Sequence, residues 1–333
     1  MKLLLTSAYQ SHSCLDRLYE LAKLNACGSY SLTSSAENAD AIVFVENTQF
    51  DDLGFKQLLD HPLVSEHADK VFMYNEMDQS WPVLPGLYCS LSDRLANPKD
   101  HIAFPYLSSG NPDIRHIYES SVDRPWLYSF VGSGSHPIRK QLFKLKSENG
   151  RILDTSEYCL WNPRQTSARA YQSLYSESMA RSKFVLCPRG IGPSSLRLYE
   201  TMQAGRIPVI ISDHWVAPPQ VSWDFAVRVR ESEIDSIPLV LENLQDEWKD
   251  RSEAARQAWE SAFSPEQLFS SFGAAIEQLS HSAEIRKQSL FARLHKTSVI
   301  VEYALKNSLK GHRDHHDSGK LQHPIPVRGT PVG

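Results

Sequence analysis

Cysteine is scarce in this sequence. The five are Cys14, Cys27, Cys89, Cys159 and Cys187. An odd number without any C-x-x-C pair excludes a disulfide framework and a zinc-type spacing, and points to a reducing compartment. Long apolar runs are absent too. Leu3–Leu5 is shorter than the ~7–15 residues of a signal-peptide core, and no stretch approaches the ~20 apolar residues of a membrane span. The expectation is a soluble, cytoplasmic protein. Basic charge is not in excess: 35 Lys and Arg stand against 39 Asp and Glu, a net charge of −4. Nucleic acid is thereby excluded as a partner, because phosphate backbones are held by a basic surplus. The Gly132–Ser135 loop has neither the G-x-S-x-G nucleophile elbow nor a full G-x-G-x-x-G fingerprint. His312, His315, His316 and His323 crowd a Gly- and Pro-rich tail that reads as disordered, so no metal ligands are assigned and no cofactor is expected.

Apolar residues make up 41% of 333 residues, enough for two cores at ~100–200 residues per domain. Short apolar runs alternate with helical patterns in both halves, which predicts parallel sheets covered on both faces. In the first half, Lys2–Leu5, Ala41–Val45 and Lys70–Tyr74 read as buried strands, with helices around Cys14–Leu24 and Asp52–Leu59. A turn-rich stretch follows, punctuated by Pro82, Pro85, Pro98, Pro105 and Pro112 and ending at Arg124-Pro125. The second half restarts with strand Trp126–Val131 and a helix beginning at Pro137, where proline suits the first helical position. Strand Arg151–Asp154, helix Ser167–Ala180, strand Lys183–Cys187, helix Ser194–Ala204 and strands Ile207–Ile211 and Phe225–Val229 complete it. From Ser236 to about Leu309 the pattern is helical. The predicted division is a first domain over 1–125, a second over 126–310 and a tail over 311–333.

The most informative segment is Ser182–Asp213: a buried strand, a glycine loop, a helix start and the next strand. Gly190 and Gly192 allow close approach of backbone to a ligand. Ser194 or Ser195 can cap the helix or donate to phosphate oxygens. The free N–H groups of a helix start, with the planar charge of Arg189, suit a diphosphate. Leu198 and Met202 share the apolar face, and Arg197 and Glu200 the opposite one, where a carboxylate can accept both hydroxyls of a ribose. A plainer reading is a surface Arg197–Glu200 pair worth ~0.2–0.5 kcal/mol. The residues alone leave both readings open.

This segment resembles the exostosin-like glycosyltransferases of family GT47, in a bacterial soluble form. The resemblance rests on Cys187-Pro188-Arg189-Gly190, then Ser195-Leu196-Arg197-Leu198-Tyr199-Glu200, Ala204-Gly205 and Ile207-Pro208-Val209-Ile210. Weaker similarity extends to Phe130-Val131-Gly132 with Arg139, to Asp213 and Pro218, and to Met73–Tyr88 in the first half. It implies a GT-B fold, two Rossmann-like domains facing across a cleft, with C-terminal helices about Glu266–Leu309 bracing the first domain. It also implies inverting sugar transfer from a nucleotide-diphosphate sugar, UDP-linked, to an oligosaccharide or lipid-linked glycan acceptor. No metal takes part, and the setting is bacterial surface polysaccharide at the inner face of the membrane. Arg189 would hold the diphosphate, Glu200 the ribose, and Arg139 a phosphate.

In-line displacement needs a base on the acceptor hydroxyl and positive charge at the departing diphosphate. Candidate bases follow first-half strands: Asp78 first, then Glu76, then Glu46. Each competes with the plainer role of a solvated or turn-capping carboxylate. Cys187 and Trp215 read as packed rather than functional. Two rival functions share the architecture: a nucleotide-sugar epimerase or hydrolase, and a non-catalytic nucleotide-sugar binder.

Overall fold

A computed structural model describes residues 1–281 apart from 11–12, 26–27, 48–51, 53, 79, 109, 146–147 and 158–167. The first lobe contains β1 (Lys2–Thr6), α1 (Ser13–Leu24), β2 (Ser31–Leu32), β3 (Ala41–Glu46), α2 (Lys56–Leu59), α3 (Pro62–Glu66), β4 (Val71–Asn75), β5 (Gly86–Tyr88) and β6 (His101–Ala103). The second contains β7 (Trp126–Gly132), α4 (Pro137–Leu142), β8 (Gly150–Asp154), α5 (Ala168–Ala180), β9 (Ser182–Pro188), α6 (Leu196–Gln203), β10 (Ile207–Ile211), β11 (Val227–Val229), α7 (Ile237–Asn243) and α8 (Trp248–Ala262). α9 (Pro265–His281) follows.

The first sheet has the order β2-β1-β3-β4-β5-β6 and the second β11-β10-β9-β7-β8. Every pairing in both is parallel. Read from the first strand of each lobe, the two sheets repeat one topology, in which strand 1 lies between strands 2 and 3. This is the GT-B architecture: two Rossmann-like domains facing across a cleft. Strands β3, β4 and β10 are buried along their whole length, which is why their sequences are apolar throughout instead of alternating. α1 buries Cys14, Leu15, Leu18 and Leu21, a single helical stripe, against the first sheet.

α9 returns to the first lobe. Leu268, Phe269, Phe272, Ala275, Ile276 and Leu279 enter the same core as Leu3, Val43 and Tyr74. Gly273 lets the ring of Tyr30 close onto the helix, since a Cβ there would lie 2.4 Å from it. The part of the predicted bracing helices beyond His281, the His-rich tail, Cys27 and Cys159 lie outside the described residues. Among the described residues no helix is long and apolar enough to cross a membrane.

Four sequence expectations are corrected. The turn-rich stretch holds two more strands of the first sheet, β5 and β6, each three residues long; proline-flanked strands this short carry no periodicity. β2 is only two residues and was not foreseen. Asp52 does not start a helix but accepts from the amides of Lys56 and Gln57, at 2.9 and 2.8 Å, ahead of α2. α6 starts at Leu196, with Ser195 as its cap residue but without a side-chain capping bond.

Candidate nucleotide site

In open α/β sheets ligands bind beyond the carboxyl ends of the strands, where the strand order reverses. In the second lobe that point lies between β7 and β9. β7 ends at Gly132, and β9 runs into Arg189, whose amide donates to the Ile211 carbonyl at 3.0 Å. Three guanidiniums gather there. Arg139, from the first turn of α4, donates from Nε to the Arg189 carbonyl at 2.9 Å and from Nη2 to that of Pro188 at 3.4 Å. Gly190 leaves room for it, since a Cβ would lie 3.3 Å from that Nη2. Arg197, from the first turn of α6, donates from Nη2 to the Val131 carbonyl at 2.6 Å. Its guanidinium lies 4.6 Å from the Phe130 ring centre and 5.4 Å from that of Tyr175, and Arg139 lies 5.9 Å from Phe130 on its own side. Arg189 donates from Nη2 to the Ile191 carbonyl at 3.1 Å.

These cations are under-compensated. Burial, and next the charge of Arg197, lower the Arg139 pKa to about 10. Nε and Nη1 of Arg197 and Nε of Arg189 are buried without a hydrogen-bond partner. Buried donors left open in this way are uncommon, and they suit an anion with several acceptor oxygens. α6 adds the partial positive charge of its uncapped start. The amide of Ser194 donates to Ser90 Oγ across the lobe boundary at 3.3 Å. Gly192 touches the first lobe directly: a Cβ there would lie 1.5 Å from the Asp78 carbonyl and 2.1 Å from Ser90 Oγ. The loop from Arg189 to Ser195 therefore lies at the boundary between lobes.

Glu200 is buried, at 8% exposure, not on a solvated helix face. Its Oε1 accepts from the Asn111 amide at 2.8 Å and its Oε2 from the Tyr175 hydroxyl at 2.5 Å. Gly110 passes so close that a Cβ would lie 2.4 Å from Oε1. The plainer reading, a surface pair with Arg197, is not what forms: each side chain has other partners and five consecutive residues, Leu198 to Met202, are buried. A carboxylate has about four acceptor positions, so one remains on each oxygen.

The three candidate bases differ sharply. Asp78 is exposed and lies beside the Gly192 contact. The protein packed around it raises its carboxyl pKa, the Arg139 charge opposes this, and Glu76 adds to it. Glu76 is heavily engaged: Tyr74 Oη, the Leu107 amide and the Cys14 thiol donate to Oε2 at 2.7, 2.9 and 3.4 Å. The Ser108 amide reaches both oxygens at 3.2 and 3.3 Å. Its geometry is that of a clamp on the interlobe segment, which counts against a base. Glu46 sits at the matching strand-order reversal of the first lobe, between β1 and β3. It is fully buried and accepts from the Ala8 amide at 2.7 Å and Ser7 Oγ at 2.9 Å. Burial outweighs those bonds and raises its pKa to about 7.

The remaining predicted residues have plainer roles. Burial pushes the Cys187 thiol up to about 11, and the side chain is packed. Trp215 is buried edge-on to Trp223 at 5.0 Å between ring centres. Sequence reasoning missed Tyr175, which meets Glu200 and Arg197 of α6, and Glu231, which lies 3.7 Å from Arg189. It also missed Arg206, the largest fully buried side chain among the described residues. Arg206 donates to the carbonyls of Met179, Ala180, Ala204 and Gly205 at 3.3, 2.8, 2.8 and 2.9 Å. It thereby ties down the C-terminal ends of α5 and α6, where carbonyls lack helical partners. Its position inside the Ala204–Ile210 stretch is the only sequence signal for it.

Residues 59–244, more than half of the chain, match the profile of the exostosin GT47 domain. The Exostosin-1 homolog of Caenorhabditis elegans is 33% identical over 112 residues, which cover 32% of this chain and 26% of that protein. Ribitol-5-phosphate xylosyltransferase 1 of Danio rerio is 32% identical over 91 residues, 26% of this chain and 20% of that protein. The chain thus spans about a quarter or less of the length of these relatives. Among solved structures, a glycosyltransferase from Rickettsia africae ESF-5 superposes with a TM-score of 0.42 at 8% identity, over 84% of this chain and 98% of that one. The matched profile encloses Asp78, the three arginines, Glu200 and Glu231, and leaves Glu46 outside. The chain belongs to the exostosin GT47 family.

Proposed function

We propose that the chain transfers a sugar, with inversion, from a nucleotide-diphosphate sugar to a glycan acceptor. The observation that carries this reading is the group of Arg139, Arg189 and Arg197 around the start of α6, with buried open donors on Arg189 and Arg197, beside a loop that meets the Asp78 carbonyl at Gly192. Those cations and amides would stabilise the charge that develops on the departing diphosphate. The acceptor oxygen attacks the anomeric carbon and its proton passes to Asp78. The bond from that carbon to the diphosphate oxygen breaks, and its electron pair stays with the diphosphate. The arginines supply what a divalent cation otherwise would, so transfer should proceed unchanged in EDTA. The open positions on Glu200 suit the two hydroxyls of a ribose. UDP as the nucleotide and a bacterial surface polysaccharide as the destination rest on the sequence pattern; the two relatives named above are animal proteins.

Glu46 supports a second assignment of the base, since a carboxyl with a pKa near 7 is matched to proton transfer at neutral pH. Donor turnover measured with and without acceptor separates the functions. Transfer requires acceptor, epimerisation or hydrolysis does not, and a binder shows affinity without turnover. Asp78→Asn should lower transfer by on the order of 100-fold or more while sparing UDP binding. Wild-type rates in that variant would remove Asp78 as the base.

A further inference from the structure

Arg189 differs from its two neighbours. Arg139 and Arg197 donate to neutral carbonyls, whereas Arg189 Nη1 lies 3.7 Å from Glu231 Oε1. Both side chains are about four-fifths buried, at 19% and 21% exposure. Among the described residues Arg189 is the one of the three arginines with a carboxylate within ion-pair distance.

Glu231 is held in place. It opens the 3-10 turn Glu231–Ser236 after β11, and its amide donates to Asp213 Oδ1 at 2.9 Å. The Asp213 amide, just past β10, returns a bond to Glu231 Oε1 at 3.2 Å. Two acidic residues beyond adjacent strands thus fix each other's backbone, and the arrangement aims one carboxylate at the arginine of the anion site. His136, the cap of α4, senses the same groups. Burial and then the charges of Arg189 and Arg139 lower its pKa, while Glu231 opposes them. Neither of the other arginines has a carboxylate within ion-pair distance among the described residues, while Arg189 has Glu231, so the third cation is not freely offered to a ligand.

We propose that Glu231 is a built-in competitor for Arg189, displaced when the second phosphate of a nucleoside diphosphate binds and returning as the product departs. The inference rests on the nucleotide-site reading above. A diphosphate left by the reaction would be gripped by three guanidiniums and a helix start, a grip that slows release. A carboxylate poised 3.7 Å from one of them weakens that grip, for donor and spent diphosphate alike, because it must leave Arg189 before a phosphate takes its place.

The test uses calorimetric titration of UDP and UMP into the full chain and into Glu231→Gln. Glutamine removes the charge and keeps an oxygen for the Asp213 amide. The expected result is UDP affinity tightened roughly three- to tenfold, UMP affinity unchanged, and a matching fall in the inhibition constant of UDP against transfer. Unchanged or weakened UDP binding, or equal gains for UDP and UMP, would overturn the proposal. Glu231→Asp, which keeps the charge but withdraws it from Arg189, gives an independent reading if the glutamine variant folds poorly. It should tighten UDP in the same direction by a smaller factor, and weakening there also overturns the proposal. Wild-type protein that binds no UDP would instead remove the nucleotide site itself, a failure visible before any variant is made.

Discussion

Replacing Glu46 by glutamine should make the protein more stable at neutral and alkaline pH, by an amount the structure sets. The carboxyl is fully buried and its pKa is raised from 4.5 to about 7. An acid whose folded pKa lies above its unfolded value contributes fully below the unfolded pKa. That contribution is lost as pH rises, because the unfolded chain ionises while the folded one must keep its proton. Between pH of about 4.5 and about 7 the loss accumulates, and above about 7 it saturates. At about 1.4 kcal/mol for each pKa unit, the total is about 3 kcal/mol. Glutamine keeps an oxygen for the Ala8 amide, and its amide can donate to Ser7 Oγ, so both bonds survive. Urea unfolding of wild type and Glu46→Gln at acidic, neutral and alkaline pH measures the difference. The two should be nearly equal at low pH and diverge in favour of the variant as pH rises. Stability curves that stay parallel would show that burial does not hold the proton. Transfer assays on the same variant address the chemistry: a collapse to the level of Asp78→Asn would move the base assignment to Glu46.

Three further outcomes are expected. Arg189→Ala should weaken UDP binding by on the order of tenfold, the worth of one charge-assisted contact, with an unchanged melting temperature; unaltered calorimetric affinity would remove the diphosphate assignment. Gly192→Ala places a methyl against the Asp78 carbonyl and Ser90, so the lobes must separate slightly. kcat/KM should fall by on the order of 100-fold, and an unchanged rate would show that the contact is dispensable. Arg206→Met leaves four carbonyls at the ends of α5 and α6 without their donor. A loss of about 3 kcal/mol or more is expected in chemical denaturation, and near-wild-type stability would mean that water reaches those groups.

The long parallel strands were legible because burial on both faces leaves no room for polar residues: Ala41–Val45 and Ile207–Ile211 could hardly be anything else. The place of the candidate anion loop was legible for a related reason, since a glycine loop between a buried strand and a helix must lie at the carboxyl edge of a sheet. What periodicity cannot report is what covers the second face of a helix. Arg197 and Glu200 do lie away from Leu198 and Met202, as the spacing requires. The crossing segment at Gly110–Asn111 and Tyr175 of α5 then cover them, and neither is near α6 in sequence. The engagement of Glu76 was hidden for the same reason. A carboxylate just past a strand looks available until the amides of Leu107 and Ser108 fold back onto it.

Those same amides limit how the two halves can move. The first of the two polypeptide crossings between them, the other leading into α9, is anchored by Glu76 at Leu107 and Ser108 and by Glu200 at Asn111. Only two residues separate Ser108 from Asn111, a tether no longer than about 10 Å even when taut. Along this edge the halves can pivot but not part, like a door beside its jamb. Any widening of the gap between the halves must open away from this edge.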